Sequence, residues 1–260
     1  MKSLFGFTCI VVILLVGATL YYYRRWRTLW QCEEALPAYH VEPSRNDTLR
    51  VIFIGDSWVG MRRTEADSSL QKHLSTLTGR PVRVWSSGRG GAKSRDIYRL
   101  MFEVGGYGTR PLIAKSPDYC VISAGINDAA ANLGTRQYVH HVKLMVDFLA
   151  HQGIKPVVLE APDVNIWTIY GDKPAKDLVG DYVKSRMTGC GMYHYAEYRE
   201  ALEALAEADK RVLLIPVQQW NGEYMAPSPT LYLGDSIHLN NRGYARLDSC
   251  IAANIAKDSE

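Results

Sequence analysis

The sequence has no C-x-x-C pair, no H-E-x-x-H motif and no long run of charge of one sign. The first absence removes zinc ribbons and dithiol redox centres. The second removes the commonest zinc-hydrolase helix, in which two histidines one turn apart share a metal. A net charge of +3 is too small for the basic footprint that a phosphate backbone demands, so no nucleic-acid partner is expected. Internal repeats and low-complexity tracts are missing too. So is the G-x-S-x-G elbow, because Val59 stands at its second glycine position after Ser57 and Val121 at its first before Ser123. The glycines around Gly88–Gly91 and Gly105–Gly108 lack the lysine and the strand–helix context of a phosphate loop. No metal or cofactor is called for.

What remains is a globular composition, 47% hydrophobic and 22% charged over 260 residues, which fits one domain with an N-terminal appendage. Of the five cysteines, Cys32, Cys120, Cys190 and Cys250 are widely spaced, and Cys120 sits in an apolar run; buried free thiols are expected. His140, His141 and His151 lack metal-ligand spacing and read as surface histidines.

The appendage is uncharged from Ser3 to Tyr23 and intensely apolar from Phe7 to Val16. About 20 apolar residues suffice for a helix to cross a bilayer. Tyr21, Tyr22, Tyr23 and Trp26 fall where an interfacial aromatic belt sits, beside Arg24, Arg25 and Arg27. A cleaved signal peptide is the rival, with Val16-Gly17-Ala18 as its cleavage site. Because the run continues into the aromatic and arginine flank, an uncleaved anchor over residues 1–30 is expected. Polar residues 31–47, with Pro37 and Pro43, read as a tether.

Beyond the tether, strand-like runs at Leu49–Ile54, Val82–Trp85, Tyr119–Ser123, Pro156–Leu159 and Val212–Pro216 alternate with helix-like stretches. The latter are Asp67–Leu77, Ser94–Phe102, Thr135–His151, Tyr195–Ala208 and Asn241–Ala256, the third stopped by Gln152-Gly153 and the last capped by Asn240-Asn241. This alternation predicts a parallel sheet covered on both faces, with ligands bound outside the carboxyl ends of the strands. The aromatic segment from Asp163 to Met192, with Trp167, Tyr170 and Tyr182, reads either as a substrate-facing cap or as a helix with its own core of Leu178, Val179, Tyr182 and Val183.

The chemistry-bearing residues lie at both ends of the domain. Gly55-Asp56-Ser57-Trp58 follows the buried run Val51–Ile54, and Asp235-Ser236-Ile237-His238 lies near the C-terminus. The second Gly-Asp-Ser, at Gly234–Ser236, has no strand before it, so Ser236 reads as a spacer. A serine hydroxyl needs a neutral imidazole within reach to take its proton, and an aspartate three residues before the histidine lets one turn present both. Asp56 reads as a brace for its turn. Between these ends lie Ser86-Ser87-Gly88-Arg89-Gly90-Gly91 and Gly125-Ile126-Asn127-Asp128.

With these four blocks in order, residues 49–256 resemble the SGNH, or GDSL, hydrolases. Two departures are Trp58 where leucine is usual and Ser86 where asparagine is usual. The resemblance implies a three-layer α/β/α sandwich on a five-stranded parallel sheet of flavodoxin-like type, over residues 48–260. It implies Ser57, Asp235 and His238 as catalytic residues, with Gly88 and Asn127 as oxyanion donors; a side chain at Gly88 is expected to block approach to the oxyanion. The expected function is a serine esterase acting on a small acyl ester, foremost O-acetyl groups of a polysaccharide. Open alternatives are acyl transfer to a sugar hydroxyl, a lysophospholipase or thioesterase acting on lipid, and a non-catalytic binding module. Arg62, Arg63, Arg89, Lys93 and Arg95 read as solvated surface charge, with attraction of an anionic substrate as the other reading. The positive-inside rule leans towards a cytoplasmic domain, whereas anchored hydrolases of this kind face outwards; an extracytoplasmic domain is expected.

Overall fold

The computed structural model describes residues 2–27, 32–43, 47–62, 64–164, 171, 173–224 and 230–260. Helix α1 (Lys2–Trp26) is followed by β1 (Leu49–Gly55), α2 (Ser57–Gly60), α3 (Thr64–Thr78), β2 (Val82–Gly88), α4 (Ser94–Leu100), α5 (Arg110–Ile113), β3 (Tyr119–Ser123) and α6 (Ile126–Ala130). Then come α7 (Thr135–His151), β4 (Lys155–Leu159), α8 (Ala175–Thr188), α9 (Tyr195–Ala208), β5 (Leu213–Ile215), α10 (Val217–Asn221) and α11 (Asn241–Asp258). The five strands form one sheet in the order β2-β1-β3-β4-β5, with every neighbouring pair parallel.

This order dictates the layers. The chain moves from β1 to β2 in one direction and from β2 past β1 to β3 in the other. A right-handed crossover then requires the two connecting helices to lie on opposite faces. Accordingly, α3 packs with α11 in one layer, and α4, α7 and α9 pack together in the other. Val51–Ile54, at the centre of β1, are at most 1% exposed, as their unbroken apolar run predicts for a strand covered on both sides. Helix ends follow local chemistry. Gly153 stops α7 with φ +75°, and the Asn240 side chain accepts from the amides of Arg242 and Gly243 at 2.9 and 3.0 Å.

The direction of the crossovers diverges between β1 and β3, which opens a crevice at their carboxyl ends. There Gly55 is in register with Gly88 on one side and Ser123 on the other. A Cβ on Gly55 would run into the Ser123 carbonyl oxygen and lie 2.8 Å from Val59 Cγ2 and 2.9 Å from Ser123 Cβ. Only glycine lets the strand end lie this close to its neighbour.

Several sequence expectations change. Residues 33–41 lie along the domain: Leu36 donates to the Tyr98 hydroxyl, Val41 donates to Gln152 Oε1, and Tyr39 donates to the Met101 carbonyl. Cys120 is buried, whereas Cys32, Cys190 and Cys250 are half-buried; all are free thiols. His141, expected at the surface, is 2% exposed, because its Nδ1 bonds the Gln137 carbonyl at 2.7 Å on the inner face of α7. Helix α8 buries Gly180, Asp181 and Ser185, and its Val179 and Tyr182 point outwards, so the small core that was one of the two readings of this segment does not form. The reason is electrostatic: Asp181 is held inward by Lys173, Lys184 and the Tyr193 hydroxyl. Trp167 and Tyr170 lie outside the described residues.

Helix α1 supplies a 21-residue segment, Gly6–Trp26, long and apolar enough to cross a membrane, with mean hydropathy 1.9 and none of it buried. For the domain, the tight β1–β3 junction sets a test. Gly55→Ala is expected to lower unfolding free energy by about 1–3 kcal/mol through overpacking, read from urea denaturation.

Candidate active site

Two strand ends and one late loop build the site. Asp56 leaves β1 and caps α2, its Oδ1 accepting from the Trp58 amide at 3.0 Å, which starts the helix at Ser57. The late loop is closed by an antiparallel bridge between Tyr232 and Leu239 and a Leu233 N–H bond to the His238 carbonyl at 2.7 Å. At its tip Ser236, the expected spacer, takes the left-handed conformation at φ +58°. That turn lets Asp235 Oδ1 accept from the amides of Ile237 and His238 at 2.9 and 3.0 Å.

The turn leaves Asp235 Oδ2 2.6 Å from His238 Nδ1, and His238 Nε2 2.9 Å from Ser57 Oγ. The three side chains named from sequence thus form one hydrogen-bonded chain between residues 181 apart. Burial pulls the Asp235 carboxyl up, but the hydrogen bonds from His238 and Ile237 outweigh it and hold it below the ordinary range.

Asn127 sits in the first turn of α6, at the end of β3 and across the crevice from Ser57. Its Nδ2 donates to the Ala92 carbonyl at 3.0 Å and to Asp56 Oδ2 at 3.3 Å, which fixes the plane of the amide. The next residue, Asp128, accepts from the Ser94 amide and hydroxyl and so locks α6 to α4. Gly88 ends β2 directly beneath α2. A Cβ there would meet Asp56 O at 2.5 Å and Gly60 N at 2.6 Å, so the close packing of α2 already requires glycine at this position. That is a constraint from beneath the helix, independent of any approach to an oxyanion.

Two supporting features were not read from sequence as such. Trp58, standing where leucine was expected, donates its indole N–H to the Ile237 carbonyl at 3.1 Å, and its own carbonyl accepts from the Tyr244 hydroxyl at 2.7 Å. The indole thereby ties the serine turn to the histidine loop. Arg62, expected to be solvated, has a fully buried side chain. It bonds Asp248 at 2.6 Å and Asp67 at 3.1 Å and lies 4.6 Å from the Phe53 ring centroid. Two carboxylates and an aromatic face replace the water it gives up. Arg89 and Arg95 keep 40% and 41% of their side chains exposed, and Arg63 lies outside the described residues.

Beside the histidine loop a cavity of about 820 Å³ opens between the end of α2, α3 and the start of α11. Ser69, Asn240, Asn241 and Arg242 share its lining with Met61, Ala66, Leu233 and Leu239, and neither Ser57 nor His238 is among the lining residues.

Burial dominates the ionisation of Asp56, pushing its carboxyl up to about 7 against the opposing bonds from Trp58 and Ser123. The folded protein therefore keeps a proton up to about pH 7 that the unfolded chain gives up near pH 4. The associated stability is fully present below about pH 4 and is lost as pH rises towards 7. Asp248, raised to about 6, and Glu160, raised to about 7, add slopes of the same sign. Asp56→Asn is expected to reduce the fall in unfolding free energy between about pH 4 and pH 7 relative to wild type, measured by urea denaturation across that range. An unchanged slope would contradict the assignment.

The model of the GDSL-like Lipase/Acylhydrolase family matches residues 53–246. No curated protein matches the chain in sequence. Among solved structures, the lipase/acylhydrolase from Enterococcus faecalis superposes with a TM-score of 0.58 at 15% identity, covering 81% of this chain and 96% of the other. A GDSL-like lipase from Bacteroides thetaiotaomicron gives 0.52 at 19% identity, covering 81% and 89%. A catalytic mutant of an acetylxylan esterase from Geobacillus stearothermophilus gives 0.56 at 16%, covering 80% and 94%. These likenesses are to the three-layer α/β/α sandwich as a fold. With the family match spanning most of the domain, the chain belongs to the GDSL-like lipase/acylhydrolase family and is an ester-hydrolysing enzyme.

Proposed function

We propose that the protein is a serine esterase that removes a small acyl group, foremost O-acetyl, from a hydroxylated carrier such as a polysaccharide. The observation that carries the mechanism is the chain Ser57 Oγ–His238 Nε2–Asp235, with contacts of 2.9 and 2.6 Å. Neutral His238 accepts the Ser57 proton as Oγ attacks the ester carbonyl, and Asp235 holds the Nδ1–H tautomer and steadies the imidazolium. The growing oxyanion is met by the Ser57 amide, whose N–H has no intrahelical partner at the first position of α2, by the Gly88 amide and by Asn127 Nδ2. Of the two bonds that hold Asn127, the longer one to Asp56 yields when the oxyanion forms. His238 then returns the proton to the leaving alkoxide, the alcohol departs, and water repeats the sequence on the acyl-serine.

The acetylxylan esterase with the same fold favours the same substrate class. In this reading residues 1–30 anchor the enzyme in a membrane, residues 31–47 join anchor to domain, residues 48–260 are the hydrolase, and the domain is extracytoplasmic.

Ser57→Ala and His238→Ala are each expected to lower kcat on p-nitrophenyl acetate by about 10,000-fold or more, and the double variant no further, since the pair acts as a unit. Asn127→Ala is expected to lower kcat about 100- to 1,000-fold with KM nearly unchanged. Acetate release from acetylated xylan should exceed hydrolysis of a decanoyl ester. Full activity in Ser57→Ala would overturn the mechanism, and activity rising with acyl length would overturn the substrate class.

A further inference from the structure

The end of the apolar helix makes a specific contact with the domain. The Trp26 indole stacks on Tyr22, with centroids 4.8 Å apart, and lies against α8. A methyl group placed on Gly180 would be 3.3 Å from Trp26 Cη2, and the Lys184 ammonium is 5.8 Å from the indole centroid. Glycine at 180 thus lets the indole rest on the helix backbone. Since Trp26 closes the 21-residue apolar segment, α8 lies at the level where that segment leaves the bilayer, within about 10 Å, one helix diameter, of the interface.

The outward face of α8 has the composition of a surface that rests on lipid. Val179 is 52% exposed and Tyr182 56% exposed, and they share a stripe with exposed Ala175 and Arg186. Residues spaced by three and four positions fall on one helix face. Arg186 extends beside the Tyr182 ring, 5.9 Å from its centroid, and Lys176 is exposed in the first turn. The carboxylate nearest this face, Asp181, points inward to Lys173, Lys184 and Tyr193, while Asp177 is exposed in the first turn. The stripe therefore presents an aliphatic group, an amphipathic ring and the Arg186 cation, the set favoured at the boundary between headgroups and acyl chains.

We propose that this face of α8 is a second membrane contact, seated on the phospholipid headgroup layer beside the anchor, with Val179 and Tyr182 inserted and Arg186 against lipid phosphate. The inference rests on the anchor reading of residues 1–30. Two inserted side chains are too few to hold a free protein on a bilayer. An anchor ending on the same helix makes the contact intramolecular, so its high effective concentration keeps it populated. The consequence reaches the active-site layer: Lys184 donates to the Ala131 carbonyl at 2.9 Å, at the end of α6, and Thr188 packs on Gly134 at the start of α7. Docked α8 thereby sets the orientation of the Asn127 edge relative to the bilayer.

The test places photoreactive p-benzoylphenylalanine at Tyr182, at Phe7 within the apolar segment, and at Leu77, which is 55% exposed at the end of α3. Leu77 precedes β2 and so lies at the amino edge of the sheet, away from α8. The full chain is reconstituted in vesicles of equal parts phosphatidylcholine and phosphatidylglycerol, irradiated, and analysed by mass spectrometry. Lipid adducts at Phe7 and Tyr182 in comparable yield, with none at Leu77, are the expected result. Adducts at Phe7 alone would overturn the second contact and leave the anchor standing. A covalent dimer through Tyr182 would assign the face to a second copy of the chain instead. Absence of adducts at both Phe7 and Tyr182 would overturn the anchor along with it.

Discussion

Trp58 joins the two ends of the domain. Its indole N–H reaches the Ile237 carbonyl, its carbonyl takes the Tyr244 hydroxyl, and its ring meets Trp220 edge-on at 5.6 Å between centroids. Something of this kind is required. Ser57 and His238 are separated by 181 residues, and a single hydrogen bond contributes only about 1 kcal/mol net, too little to hold a long closed loop at hydrogen-bond distance. The edge-on ring pair adds about 0.5–1.5 kcal/mol beyond the burial of the rings. With the indole 3% exposed, the serine turn and the histidine loop move as one body, and the proposed proton transfer needs no rearrangement of the chain.

Around that brace the fold places charge where water is excluded. Asp56 and Asp128 are each 1% exposed, one holding the start of α2 and the amide of Asn127, the other joining α6 to α4. Arg62, between Asp67 and Asp248, fastens the end of α2 to α3 and α11. A carboxyl kept partly protonated by burial makes a softer partner for Asn127 than a full carboxylate does. That suits the proposed oxyanion role of Asn127, in which its amide gives up one contact as negative charge grows opposite it.

Much of this was legible in the sequence. The runs from Val51 to Ile54 and from Tyr119 to Ser123 read as strands because both faces are buried, so no polar alternation interrupts them. Helices α7 and α9 begin and end where their apolar spacing and stops place them. The residues of the serine–histidine–aspartate chain were named from spacing and block order, and they lie within hydrogen-bond reach. What escaped has a common cause. Helices α2, α6 and α10 are four or five residues long, shorter than the period by which a helix is recognised, and exist because strand ends and caps force a turn there. Arg62 and His141 look like surface residues because their partners, Asp67, Asp248 and the Gln137 carbonyl, meet them only in three dimensions. Glycine at 88 carries a packing reason visible only when α2 lies on top of it.

The account's central claim is that Ser57 becomes covalently acylated. The most direct measurement is rapid acid quenching of the enzyme during turnover of p-nitrophenyl acetate, followed by proteolysis and mass spectrometry. The account predicts an added acetyl mass on the peptide containing Ser57, rising in a burst before steady state. Turnover with that peptide unmodified at every quench time, in an enzyme whose deacylation has been slowed by low temperature, would contradict it.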